Sequence, residues 1–91
     1  YRLAQSYPNP FTTGGTTIEF DLPVTDTITM NILDIRGRKV RTLIDREQLF
    51  GYQAIMWDAK DDDGENVSSG VYFYQIKSRN FNEVGKLVFV K

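Results

Sequence analysis

The sequence contains no cysteine and no histidine. Without cysteine there are no disulfides, no zinc–thiolate sites and no thiol nucleophiles. Without histidine the usual general base, the Ser-His-Asp arrangement and most zinc sites are excluded. The four serines do not lie in a strand–turn–helix elbow, and no glycine-rich phosphate loop leads into a helix. We therefore predict that the protein is not an enzyme and carries no cofactor.

Long charged runs and long apolar runs are also missing. Eleven basic and twelve acidic residues are spread along the chain and give a formal net charge of −1. This distribution offers no basic surface for nucleic acid or for an anionic membrane. The longest apolar runs are four residues, as at 71–74 and 87–90, which is too short to span a bilayer. Neither nucleic-acid binding nor membrane insertion is expected.

The chain is short, and it begins at Tyr1 without a signal-peptide pattern. Its 91 residues suit one domain over 1–91, because we find no repeat, linker or low-complexity tract. Six Phe, five Tyr and one Trp can supply a core for a domain of this size. We expect an accessory module from the C-terminal end of a larger secreted bacterial protein.

Apolar and polar residues alternate with a period of two, and turn residues interrupt the alternation at intervals of about ten residues. This pattern predicts an all-β fold, a seven-stranded antiparallel sandwich of the immunoglobulin or fibronectin-III type. The expected core anchors are Phe20, Ile28, Met30, Ile32 and Trp57. The predicted strands cover residues 2–6, 17–22, 27–33, 40–44, 52–58, 71–78 and 84–90.

Two interruptions of the alternation guide the predicted strand ends. Pro23 is expected to end the second strand, because proline cannot donate to a ladder. Residues 40–44 alternate imperfectly, which favours a bulge or an edge position, and a polar loop is expected after them. The Tyr-Pro-Asn-Pro-Phe segment at 7–11 is interpreted as a stiff crossover, with Phe11 closing one end of the sandwich.

An acidic loop at 58–66 is the strongest candidate for a metal site, since calcium favours clustered carboxylate oxygens. The candidate ligands are Asp61, Asp63 and Glu65. Alignment of Gly64 with the glycine of an EF-hand loop places alanine and glycine at two ligand positions, so the motif fails. A solvated turn, with aspartates that bond to the local backbone, is the favoured interpretation.

Exposed aromatic side chains raise a second possibility, because aromatic rings stack on sugars in carbohydrate-binding modules. Trp57, Tyr72 and Tyr74 alternate with polar residues and are better assigned to the core. Tyr7 and Tyr52 have weaker core signals and are the better candidates for a glycan. A carbohydrate-binding or spacer module of a polysaccharide-degrading enzyme is therefore one alternative function.

Several ordered blocks resemble the C-terminal sorting domains of the type IX secretion system. They comprise LAQSYPNPF at 3–11, TTI at 16–18, GRKV at 37–40, Trp57-Asp58, Asp63-Gly64, SGVYFY at 69–74 and KLVFVK at 86–91. The resemblance covers essentially the whole chain. One departure is Thr12, where such domains often carry asparagine. The same blocks resemble the Ig-like domain of the flagellar hook-capping protein, so an assembly domain of that type is a second alternative.

The resemblance to sorting domains implies a function in protein export. The folded module would direct an upstream parent protein through the periplasm and across the outer membrane of a Bacteroidetes-like bacterium, to the surface or the medium. Its implied partners are the type IX translocon and a sortase that removes the module. Carried over by position, the candidate recognition residues are Gly37, Val40, Gly70, Tyr72, Tyr74, Lys86 and Lys91.

Overall fold

The computed structural model of the protein describes residues 2–91, with side chains from Ala4 onward. It contains five β-strands, and every pairing between them is antiparallel. The prediction of an all-β, antiparallel protein is confirmed. Within this part of the chain no helix has the length and apolar character needed to cross a membrane. The strands are β1 (Arg2–Tyr7), β2 (Thr16–Asp34), β3 (Lys39–Trp57), β4 (Gly70–Lys77) and β5 (Asn82–Phe89).

The strands form one curled sheet organised around β2. One edge of β2 pairs with β3 along nearly its whole length. The other edge pairs with β1 in the first half of β2 and with β4 in the second half. β5 then pairs with β4, and Ala4 of β1 donates its backbone N–H to the Glu83 carboxylate of β5 at 2.8 Å. The two ends of the sheet therefore approach each other.

The prediction of seven strands is wrong, and β2 shows the first reason. The predicted strands 17–22 and 27–33 are parts of this one strand of 19 residues. Leu22 pairs with Gly51 and Asp26 with Leu49, so three residues of β2 face one residue of β3. Pro23 lies in this exposed bulge, where no ladder donor is required, and the strand continues past it.

The same correction applies to β3, which joins the predicted strands 40–44 and 52–58. The residues expected to form a polar loop pair with β2 instead, as Glu47 does with Ile28 and Gln48 with Thr27. The register shifts between Ile28 and Met30, close to Arg46, whose φ is 51°. The bulge expected in residues 40–44 is present, since the register also shifts between Met30 and Asn31 and between Ile32 and Leu33, and the strand continues through these shifts.

The core forms because alternate side chains of the strands point to the same side of the curled sheet. Six apolar residues at even positions of β2 are buried, three in each half, so both halves contribute to one cluster. Trp57 is fully buried and contacts Tyr72 edge to face at 5.4 Å between ring centroids. The cluster includes the expected anchors Phe20, Ile28, Met30, Ile32 and Trp57.

The crossover between β1 and β2 lies against β5. Both proline peptide bonds in it, Tyr7–Pro8 and Asn9–Pro10, are cis. Phe11 is buried, with ring centroids 5.7 Å from Trp57 and 5.0 Å from Phe89. Thr16, also buried, donates its hydroxyl hydrogen to the carbonyl of Pro8 at 2.7 Å. These contacts hold the crossover across one end of the core.

Candidate functional site

The turn between β2 and β3 is built around the carboxylate of Asp34. One oxygen accepts the backbone N–H groups of Arg36 and Arg38, both at 2.9 Å, and the other accepts Nε of Arg38 at 2.9 Å. Gly37 has a φ of 83°, which glycine adopts without strain. The hydrogen bond from the backbone of Arg38 is the main reason that the pKa of Asp34 lies below its ordinary value. The turn is therefore held in one conformation.

The start of β4 lies beside this turn. Tyr72 pairs with Asp34 across the β2–β4 ladder, and its hydroxyl donates to the carbonyl of Ser68 at 2.6 Å. Burial, with a smaller effect from the Asp34 charge, raises the pKa of Tyr72. Gly70 opens β4 and pairs with Phe89 near the end of β5. The backbone N–H of Lys91 donates to the Ser69 hydroxyl at 3.0 Å, which brings the last residue to the same place.

Two hollows join these elements into one surface. The larger has a volume of about 500 Å³ and is lined by residues that include Arg38, Val40, Asp62 and Tyr72. The smaller has a volume of about 230 Å³, and its lining includes Ile35 and Gly70. Asp34, Arg38 and Tyr72 line both. We call the surface formed by residues 34–40, 61–70 and Tyr72 the turn end.

The structure brings five of the seven candidate recognition residues to this region. Val40, Gly70 and Tyr72 line the hollows, Gly37 shapes the turn, and Lys91 is bonded to Ser69. They belong to three separate parts of the chain, at 37–40, 70–72 and 91, and the β2–β4 and β4–β5 pairings bring these parts together.

The other two candidates lie elsewhere. Tyr74 is buried in the core, and burial raises its pKa. Its hydroxyl end lies over Gly85, where a Cβ would clash with Cζ of Tyr74, so the tyrosine fills the space above a glycine on the neighbouring strand. Lys86 is exposed in the middle of β5, opposite Phe73. Tyr74 thus contributes packing, and Lys86 is separated from the turn end along its strand.

The acidic loop uses its carboxylates for the backbone. One oxygen of Asp61 accepts the N–H groups of Asp63 and Glu65, both at 2.9 Å. Asp62 accepts the N–H of Thr42 at 3.0 Å and so ties the loop to β3. Within residues 2–91, acidic side chains form no group of three or more that could hold a metal ion. Of the candidate calcium ligands, Asp61 uses its carboxylate within the turn, whereas Asp63 and Glu65 contribute their backbone N–H groups.

The two candidate glycan-stacking tyrosines are both exposed, Tyr7 by 76% and Tyr52 by 61%. They lie on the outward face of different strands, since Tyr7 pairs with Thr17 and Tyr52 with Asp21, four residues along β2. The hydroxyl of Tyr52 donates to the carboxylate of Glu19, which raises the pKa of Tyr52. Both rings are therefore presented on the exposed face of the sheet.

Sequence reasoning missed three residues that organise these surfaces. Asp34 and Asp62 fix the turn and the acidic loop through side-chain oxygens. Ile35, at the tip of the turn, is 72% exposed. Asp34 could have been found from the sequence, because an aspartate four residues before an arginine in a glycine-containing turn indicates such a contact. Asp62 accepts from a residue 20 positions earlier, and nothing local in the sequence indicates that contact.

Two comparisons with known proteins bear on the family and the fold of this chain. Residues 5–91 match the family model described as the secretion system C-terminal sorting domain. Among solved structures, the chain is similar to part of PorZ of Porphyromonas gingivalis, described as an essential bacterial surface component of the type-IX secretion system. That similarity has a TM-score of 0.69 at 22% identity and covers 97% of this chain but 11% of the PorZ chain.

The two matches differ in what they establish. At 22% identity the likeness to PorZ shows a shared fold alone, and this chain spans only a small part of that protein's length. No curated protein gives a significant match. The family model, in contrast, matches almost the entire sequence, from Gln5 to Lys91. This chain therefore belongs to the family of secretion system C-terminal sorting domains.

Proposed function

We propose that this domain is a non-catalytic sorting module that directs an upstream parent protein through the type IX secretion system, and that the turn end is the surface recognised by the export machinery. Family membership supports the sorting role and implies secretion to the cell surface or the extracellular space. The translocon binds the turn end, and a sortase then removes the module from its parent.

The observation that carries the recognition site is the convergence of separate sequence blocks. Asp34 of β2, Val40 of β3 and Tyr72 of β4 come from three different strands. They line hollows that share the Asp34–Arg38 turn, and Gly70 at the start of β4 lines the second of these. The turn is fixed by hydrogen bonds within itself, so little conformational entropy is lost when a partner binds it. The exposed side chain of Ile35 at its tip offers an apolar contact in a charged surrounding.

The fold type is part of the same proposal. We infer that the two halves of the curled sheet form the two layers of an immunoglobulin-like sandwich. β1, the first half of β2 and the end of β3 are paired in one region, and the second half of β2, β4 and β5 in the other. Support comes from the single core cluster, which takes side chains from both halves of β2. Neither comparison points to glycan binding or to hook-capping assembly.

The test fuses residues 1–91 to the C-terminus of a fluorescent protein in a host that secretes through the type IX system. The wild-type module should bring the cargo to the surface or the medium, and cargo retained in the periplasm would contradict the sorting role. Ile35→Asp should lower export about tenfold or more, the effect of roughly 1.4 kcal/mol of lost binding. Circular dichroism checks that the variant is folded.

A matched control separates recognition from general surface change. Val84 is also exposed, by 54%, but lies on β5, where it pairs with Gln75 away from the turn end. Val84→Asp introduces the same charge and removes a similar apolar side chain. Export by this variant should equal that of wild type. Equal export by the Ile35→Asp and Val84→Asp variants would contradict recognition at the turn end while leaving the sorting role intact.

A further inference from the structure

The far edge of β3 is closed in its first half and open in its second. Near the start of the strand, Val40 accepts the backbone N–H of Asp62 at 3.0 Å, and Thr42 donates to the Asp62 carboxylate at 3.0 Å. Within residues 2–91, β3 pairs with no strand other than β2. From Glu47 to Trp57, no loop of this part of the chain bonds to the far edge through its backbone.

The open half carries none of the usual devices that prevent strands from pairing edge to edge. Residues 48–57 contain no charged side chain and no proline. β4 has no charged side chain before Lys77, its last residue, but both of its edges are paired, with β2 and with β5. Gly51 has a φ of 79° and bends β3, so the straight part of the open edge is residues 52–57. This segment can accept another extended strand through backbone hydrogen bonds.

The side chains of the segment are complementary to themselves. Tyr52, Ala54 and Met56 are exposed on the outward face of β3. If two copies of the segment pair antiparallel about Ala54, the two alanines meet at the centre. Tyr52 of each copy then lies opposite Met56 of the other, and a thioether against an aromatic ring is a favourable contact. Because the segment has no charge, no like charges meet in this arrangement.

We propose that a second copy of this chain docks on the open edge of β3, antiparallel about Ala54, to form a two-fold symmetric dimer with a sheet continuous across the interface. The inference goes beyond the sorting role and uses a different surface from the turn end. A strand without charge and with this internal symmetry fits its own copy better than a charged or proline-rich peptide. The edge is short, so association is expected at high micromolar concentration.

The test is the concentration dependence of the mass in solution, measured by analytical ultracentrifugation between about 10 µM and about 1 mM. The wild-type mass should rise from the monomer value of 10.5 kDa towards twice that value. Ala54→Lys should remain monomeric over the whole range, because two lysines would lie directly opposite each other. Within one copy this lysine faces Glu19, so the folded monomer tolerates it.

Val84→Lys is the matched control, since it also adds one positive charge at an exposed position of a strand. It should dimerise like wild type. In nuclear magnetic resonance spectra of the wild type, dilution should shift the backbone amides of residues 52–57 more than any others.

Three results would overturn the proposal. The wild type could remain a monomer up to about 1 mM, which would leave the edge to a strand of a different protein. The Ala54→Lys and Val84→Lys variants could dimerise equally well. The amide shifts on dilution could fall outside residues 52–57. Export of the fluorescent cargo tests the turn end separately, so failure of the dimer leaves the proposed function unaffected.

Discussion

The outer edge of β5 and the end of β3 are both strand edges at the limits of the sheet, but their surroundings differ. On β5, the backbone of Phe11 donates to Val88 and accepts from Val90, each at 2.9 Å. Asn9 continues this pairing with its side chain, which donates to the carbonyl of Lys86 at 2.8 Å and accepts the N–H of Val88 at 3.0 Å. At the end of β3, the edge of residues 52–57 that faces away from β2 has no backbone partner of this kind within residues 2–91.

The difference shows what the crossover between β1 and β2 does. Pro8 and Pro10 lack a backbone N–H, so the segment cannot form an ordinary ladder with β5. The amide of Asn9 replaces the missing backbone groups, and Phe11 supplies the next ones together with a buried ring. The edge of β5 is thus closed by particular residues, whereas the end of β3 is open because no segment within residues 2–91 pairs with it.

The largest effect is expected from truncating one phenylalanine at each edge. Phe11→Ala should lower the free energy of unfolding by about 3–5 kcal/mol, because its buried ring contacts Trp57 and Phe89. Phe50→Ala, at the open edge, should change it by about 0.5 kcal/mol or less, since Phe50 is 65% exposed. Urea unfolding followed by tryptophan fluorescence measures both.

The two phenylalanine variants test directly whether the two edges differ. A cost at Phe50 similar to that at Phe11 would mean that the open edge is covered by something that stabilises the fold. Dilution to low micromolar concentration then distinguishes the cases, because a dimer would lose that extra stability as it dissociates. An unchanged cost on dilution would contradict both the exposure of Phe50 and the description of this edge as open.

A smaller effect is expected from truncating one amide at each edge. Asn9→Ala removes two hydrogen bonds to β5 and should cost about 1–2 kcal/mol. Gln48→Ala is its counterpart on β3, where the Gln48 side chain makes no hydrogen bond within residues 2–91, and it should have no measurable effect. Hydrogen exchange gives a local measurement, in which the amide of Val88 should lose protection in Asn9→Ala alone. Equal costs for the two variants would show that Asn9 does not close the edge.

The fold class could be predicted from the sequence because alternation is a local property. Each of Ile28, Met30 and Ile32 lies two residues from the next, and this spacing alone places them on one face. The number of strands could not be predicted, because a break in alternation does not show whether pairing continues. Pro23 and Arg46 interrupt the pattern, yet β3 and β2 remain paired on both sides of each irregularity.

The candidate site was predictable only in part, for a similar reason. Gly37, Gly70 and Tyr72 were indicated by resemblance to the family, and the structure brings them close to one another. Asn9 was not identified, because its partners on β5 are 77 and 79 residues away in the sequence. Secretion to the surface or the medium is confirmed by family membership. The absence of catalytic activity stays a prediction.

The smallest effect is expected from pH, and it separates the closed half of β3 from the open half. The turn that leads into β3 depends on the Asp34 carboxylate, whereas residues 48–57 contain no titrating side chain that carries charge at neutral pH. The backbone hydrogen bond from Arg38 lowers the pKa of Asp34 in the folded state. Its contribution to stability is therefore present above the unfolded pKa of about 3.9 and is lost as the pH falls through the lower folded value.

The melting temperature of the wild type should accordingly fall between about pH 5 and about pH 2. The melting temperature of the Asp34→Asn variant should start at a lower value and fall less steeply over the same range. The acid dependence is reduced but not abolished, because a hydrogen bond from Ser78 also lowers the pKa of Asp26 in the folded state. Parallel melting curves for the wild type and Asp34→Asn across this range would show that the turn gains nothing from the charge of Asp34. The closed half of β3 would then be held by the Asp62 contacts. Loss of the Asp34 charge in acid would not weaken this half relative to the open half.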